Sequence, residues 1–169
     1  ALQAAVNSLH ENGQIAYVCM DVSDSASVAA GFRAAVDEFG TIDILINNAG
    51  QASSAPFLKT TEAQWQQMLA VNLTGTFLCT QQALPAMLTQ SWGRIVNVAS
   101  TAGLKGYAYV AAYAAAKHGV IGLTKSLALE VAQKGVTVNA VCPGYTETDI
   151  VREAIANIMA KTGRTEEQA

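Results

Sequence analysis

The sequence predicts an α/β domain in three layers, a doubly wound parallel sheet with helices on both faces. Three observations predict it. Apolar runs of strand length alternate with stretches of helical periodicity along most of the chain. The strand candidates are apolar at successive positions, as strands buried on both faces are. Only 14% of the residues are charged, where an average globular domain carries about 25%, so the helices must bury more than one side.

The elements follow in order. "ALQAAVNSLHENG" reads as the tail of an amphipathic helix. "IAYVCMD" (15–21) is rich in strand formers and stops at an acidic turn. "DSASVAAGFRAAVDEFG" (24–40) offers Ser and Asp caps, apolar Val28, Phe32, Val36 and Phe39 at helical spacing, and a stop at Gly40. "IDILINNAG" (42–50) is a second strand running into a glycine turn. Thr61 and Gln64 stand at capping-box spacing and open a long helix to about residue 90. "GRIVNVAS" (93–100) is a third strand, 111–135 a long helix ending at Gly135, and "VTVNAVCPG" (136–144) a fourth strand. Strands each followed by a helix form a parallel sheet with right-handed crossovers. No linker or repeat interrupts the pattern, so residues 1–169 read as a single domain.

Composition excludes several partners. A net charge of -3 without a basic run argues against nucleic acid. No apolar run approaches the ~18 residues of a membrane span. Cys19, Cys79 and Cys142, with His10 and His118, offer neither a disulfide framework nor metal-ligand spacing. No metal is therefore expected, and reduced thiols fit a cytoplasmic setting. "NLT" at Asn72 matches a glycosylation sequon, a reading that requires a secreted protein and a surface loop. The chain opens inside a helical pattern and closes on "KTGRTEEQA" within a polar, helix-favouring stretch, so it reads as an internal piece of a longer protein.

In open parallel sheets, ligands bind outside the carboxyl ends of the strands. Asp21 and Val22, Asn47 to Gly50, Ser100, and Pro143 with Gly144 follow the strands here and should face one crevice. Tyr113 and Lys117 lie at i and i+4 on one helix face, separated by alanines that leave room for a flat ligand. A phenol is ordinarily a poor proton donor or acceptor at neutral pH. An ammonium ~5 Å away, at an effective dielectric of ~20, stabilises the phenolate by roughly 3 kcal/mol. The pair can then serve as general acid and base. An exposed lysine beside a half-buried tyrosine is the plain alternative. Ser100, at a strand end, is placed to hydrogen-bond a substrate oxygen or simply to form a turn.

"NNAG" (47–50), "VNLTGTF" (71–77), "GRIVNVAS" with Gly103 beyond it, "YAAAK" (113–117) and "PGYTET" (143–148) occur together and in order. On these motifs the chain resembles the short-chain dehydrogenase/reductases, Rossmann-fold enzymes that use NAD or NADP. The resemblance covers residues from about 15 to 150. It implies an oxidoreductase interconverting a secondary alcohol and a ketone by hydride transfer. Tyr113 is then the catalytic acid/base and a cofactor contact, and Lys117 lowers its pKa and binds the nicotinamide ribose. Ser100 orients the substrate oxygen, and Asn72 holds a water in the proton relay, or else caps a kink in the long helix.

For the cofactor, the resemblance implies that Asp21 bonds the adenine amino group with Val22 against the ring. Asn47, Ala49 and Gly50 line the adenosine ribose, Asn47 and Asn48 alternatively tying strands together. Pro143, Gly144, Thr146 and Thr148 contact the carboxamide and phosphates. The family's glycine-rich TGxxxGxG turn, its first strands and its C-terminal strand have no counterpart here. The segment 148–169 corresponds to a substrate lid. The walls 51–58 and 104–109 and the segment after Tyr145 frame an apolar, partly aromatic pocket. "ETD" after "PGYT", with the helix "YAAAKHGVIGLTKSLALE", looks closest to 3-oxoacyl or 3-hydroxyacyl reductases and dehydrogenases, although polyol and steroid members share these features. A homodimer or homotetramer through the long helices is implied. The alternative function is a nucleotide-binding or oligomerisation domain of the same fold without catalysis.

Overall fold

The structure, a computed structural model, describes residues 2–9 and 13–144 together with residues 159 and 165. Helix α1 spans Leu2–Leu9 and α2 spans Ser25–Phe39. Asp24 caps α2 by accepting from the Ala26 amide, and Gly40, at φ 81, ends it in a conformation that suits glycine. Strand β1 is Ile44–Asn47. A short 3-10 turn at Phe57–Lys59 precedes α3, Glu62–Leu69, whose Thr61 and Gln64 form the expected capping box.

The long helix expected from Thr61 to about residue 90 is instead three pieces. Ala70–Thr74 forms a π turn between α3 and α4, Gly75–Thr89. Such bulges mark places where the backbone ladder is rearranged, often beside a site. Strand β2 is Gly93–Val98 and a 3-10 turn follows at Thr101–Gly103. Helix α5 is Ala111–Val131 and β3 is Val136–Val141.

The sheet is parallel with order β1-β2-β3. Its register pairs Asn47 with Asn97 and Asn97 with Ala140. Residues 15–21, expected as a strand, pair with no strand among the described residues. A strand requires a ladder partner, and Tyr17 and Val18 stay 45% and 42% exposed. This segment packs instead on α2, where a Cβ on Gly31 would lie 2.7 Å from the Met20 sulfur.

One face of the sheet carries the core. Ile95, Val136 and Val138 meet Val28 and Phe32 of α2, Cys79, Ala83 and Met87 of α4, and Val131 of α5. Each large aliphatic chain fully removed from water there contributes about 1.5–3 kcal/mol. Side chains on the opposite face are less covered, with Ile44 at 55% and Ile46 at 62% exposure. The fold is otherwise the expected Rossmann-like α/β arrangement, and it brings every strand's carboxyl end to one edge.

Candidate active site

Backbone bonds lace that edge together. The Ala99 amide donates to the Val141 carbonyl at 2.8 Å, and the Thr101 amide to Pro143 at 2.9 Å. Ser100 therefore sits directly beside Pro143 and Gly144. Its Oγ accepts from the Ala102 amide at 3.1 Å. That bond occupies the oxygen and leaves the hydroxyl proton to be donated elsewhere.

The 3-10 turn after Ser100 packs against α5 because Gly103 has no side chain. A Cβ there would stand 2.7 Å from the Lys117 carbonyl oxygen. Only glycine permits this approach. Tyr113 and Lys117 share a face of α5 as expected, with Lys117 Nζ 5.7 Å from the centre of the Tyr113 ring. Lys117 is 5% exposed, and its Nζ donates to the Val98 carbonyl at 2.8 Å. Burial, with no carboxylate partner among the described residues, holds its ammonium below the usual lysine range.

Asn72 lies in the π turn and is 1% exposed. Its Oδ1 accepts from the Gln51 amide at 3.2 Å, while Nδ2 donates to the Gln51 carbonyl at 2.9 Å and the Met68 carbonyl at 3.0 Å. The side chain thus clamps the N–H and C=O of one residue in the loop after β1. A Cβ on Gly50 would lie 2.9 Å from Asn72 Oδ1 and 3.6 Å from Lys117 Nζ. Gly50, Asn72 and Lys117 converge on one spot.

A groove of about 710 Å³ runs past this spot, lined by Asp21, Val22, Ala49 and Gly50 together with Cys19, Met20, Gln51 and Val71. Asp21 Oδ1 accepts from the Ser23 hydroxyl at 2.7 Å and the Ser23 amide at 2.9 Å. These bonds hold its carboxyl below the usual carboxylate range, the hydroxyl contributing most. Val22 packs on Gly75, whose Cβ would stand 3.0 Å from it.

Asn47 is placed otherwise. Its Nδ2 donates to Asn97 Oδ1 at 2.8 Å and Thr80 Oγ1 at 3.1 Å, so its side chain ties β1 to β2 and α4 and does not line the groove. The strand-tying alternative thus falls to Asn47. Thr146, Thr148 and nearly all of the 148–169 segment lie outside the described residues.

Two participants were not legible in the sequence. The Val98 carbonyl is a backbone atom, and nothing in a residue's identity marks it as a lysine's partner. Val71 adjoins Asn72, and adjacency to that motif was the available signal; Gln51, expected in a substrate wall, is held by its backbone to Asn72. Among the described residues, no group of three or more His, Cys, Asp or Glu could hold a metal ion, and no helix is long and apolar enough to cross a membrane.

Comparison with known proteins bears directly on this edge. The family model for short chain dehydrogenase matches residues 1–158. A protein of Streptomyces violaceoruber named as a granaticin polyketide synthase ketoacyl reductase is 47% identical over 146 residues, 83% of this chain and 53% of its own length. A D-beta-hydroxybutyrate dehydrogenase of Cupriavidus necator is 42% identical over 169 residues, 100% of this chain and 66% of its own. The solved structure of an actinorhodin polyketide ketoreductase with NADPH superposes with a TM-score of 0.93 at 38% identity, covering 99% of this chain and 65% of that one. The chain spans between about half and two thirds of the length of these relatives.

Proposed function

The chain belongs to the short chain dehydrogenase family, and on that premise we propose that it carries the catalytic edge of an NAD- or NADP-dependent oxidoreductase interconverting a ketone and a secondary alcohol. The observation that carries this reading is the convergence of Lys117, Tyr113, Asn72 and Gly50 beside the end of β2.

The groove suits a nicotinamide dinucleotide. Val22 and Ala49 offer an apolar wall for a flat ring, and Gly50 leaves space where any side chain would intrude. Asp21 uses Oδ1 on Ser23, so its other oxygen can accept from an adenine amino group. When bound, the nicotinamide supplies or takes up the hydride. Pro143, Gly144, Thr146 and Thr148 belong to the same reading as contacts to its carboxamide and phosphates.

The chain's own residues handle the proton and the geometry. Ser100 donates its hydroxyl proton to the substrate oxygen while Ala102 holds its own oxygen in place. Tyr113 gives a proton to the developing alkoxide in reduction and takes it from the hydroxyl in oxidation. The buried Lys117 ammonium lies close enough to stabilise the phenolate that remains. Its low-dielectric surroundings strengthen that interaction. Asn72 acts by fixing Gln51, because its amide is already engaged with protein atoms.

The substrate in this reading is a 3-oxoacyl or 3-hydroxyacyl compound. The walls at 51–58 and 104–109 are joined by a bond from the Ala55 amide to the Tyr109 carbonyl at 2.8 Å. Tyr109 takes φ 67 there, an uncommon conformation for a bulky residue. Leu104 and Tyr109 are 61% and 66% exposed, an apolar surface for an acyl chain. Phe77 of α4 and Leu129 of α5, exposed at 45% and 81%, support assembly as a homodimer or homotetramer through the long helices.

The test is a turnover screen of the full-length protein. NADH and NADPH are offered with short 3-oxoacyl thioesters, simple ketones and cyclic ketones, following nicotinamide absorbance. Turnover of a 3-oxoacyl thioester is expected. Failure with every carbonyl, with both cofactors, would overturn the reading.

A further inference from the structure

A buried chain of amides and hydroxyls crosses the fold below the catalytic edge. Asn47 on β1 donates to Asn97 on β2 at 2.8 Å, and Asn97 Nδ2 donates to Thr124 Oγ1 on α5, also at 2.8 Å. Thr124 in turn donates to the Val120 carbonyl at 2.7 Å. At the other end, Asn47 Nδ2 also donates to Thr80 on α4 at 3.1 Å. Asn97 is 1% exposed, Thr80 4% and Thr124 6%, and no buried side-chain nitrogen or oxygen among the described residues lacks a partner.

The chain's position in the fold is specific. Asn97 lies on the strand that leads to Ser100, and the step between them is roughly 10 Å at strand rise. Thr124 lies on the helix that carries Tyr113 and Lys117, and the two turns back to Lys117 are also roughly 10 Å. Asn47 and Asn97 are direct register partners, one leading to Gly50 and the other to Ser100. Helix α5 is therefore pinned to β2 at two heights, by Lys117 on the Val98 carbonyl and by Thr124 on Asn97.

We infer that Thr124 and Asn97 are positioning residues, fixing how far α5 slides along β2 and hence the spacing of Tyr113 from Ser100. The inference rests on the catalytic reading above. Close packing and the Gly103 contact hold α5 against the sheet, and directed hydrogen bonds in a low-dielectric interior narrow its placement further. A displacement of about 1 Å in a catalytic group costs up to roughly a hundredfold in rate.

The experiment compares Thr124→Val, which keeps the shape and removes the hydroxyl, with Thr124→Ser, which keeps the hydroxyl. For each, kcat, cofactor KM and urea unfolding are measured on the full-length protein. A crystal structure of each variant gives the offset of α5 from β2. Thr124→Val is expected to lower kcat roughly ten- to hundredfold, with a smaller change in cofactor KM and α5 displaced. Thr124→Ser restores both kcat and the offset. A Thr124→Val enzyme that is less stable but retains wild-type kcat would overturn the inference while leaving the catalytic reading standing. So would loss of kcat with α5 undisplaced. A wild-type protein without turnover on any carbonyl overturns the catalytic reading itself and the positioning role with it.

Discussion

Lys117 reaches from α5 to the Val98 carbonyl, 2.8 Å away, while keeping its ammonium 5.7 Å from the centre of the Tyr113 ring. A charge so deeply buried, with a carbonyl rather than a carboxylate as partner, costs stability. That cost is reasonable only where the charge is used.

The first prediction concerns this lysine. Its folded-state proton affinity lies below its ordinary value of 10.5 because burial disfavours the charge. Between the lowered value and 10.5 the unfolded state binds more protons, so stability rises with pH across that window. Urea unfolding of the wild type and Lys117→Met from neutral to alkaline pH should show the wild type gaining relative to the variant. Lys117→Met should be at least as stable at neutral pH, yet lose roughly a hundredfold or more in kcat. A wild type that loses ground to the variant on the way to alkaline pH would contradict this.

Gly103 supplies the second. Gly103→Ala places a Cβ 2.7 Å from the Lys117 carbonyl, a backbone atom that cannot swing aside. Overpacking of this kind costs about 1–3 kcal/mol. It should also lower kcat, because α5 is pushed away where Tyr113 and Lys117 stand. Gly93→Ala is the control. Its Cβ meets the flexible Met87 side chain at 2.5 Å, remote from the catalytic edge. It should cost stability but leave kcat near wild type, and equal kcat losses in the two variants would refute the distinction.

Asn72 gives the third. Asn72→Ala removes the side-chain partner of both the N–H and the C=O of Gln51, and because water can reach this exposed residue each lost bond costs about 0.5–1.5 kcal/mol. Asn72→Asp should be worse. It turns an oxygen toward the Gln51 and Met68 carbonyls, which now receive donated protons. Denaturant midpoints are expected in the order wild type, Ala, Asp. An Asp variant as stable as wild type would show that the clamp is not needed.

Much of this was legible in the sequence, for identifiable reasons. The alternation of strand and helix patterns placed Ser100, Gly50 and Gly144 at one edge before any geometry was known. The i, i+4 spacing put Tyr113 and Lys117 on one face. Other features depend on partners that a linear reading does not contain. Residues 15–21 have the composition of a strand, yet no described strand pairs with them. The π turn at Ala70–Thr74 arises where Asn72 bonds both the Met68 and Gln51 backbone, and capping signals at Thr61 say nothing about it. Asn47 pointed to the cofactor by its motif, but its amide is claimed by Asn97 and Thr80.

The most direct test is the Tyr113→Phe variant, which keeps the ring and removes only the exchangeable proton. Its kcat should fall roughly 10²–10⁴-fold, with the unfolding midpoint unchanged and cofactor affinity altered far less than kcat. A variant that turns over within about threefold of wild type would show that another group moves the proton.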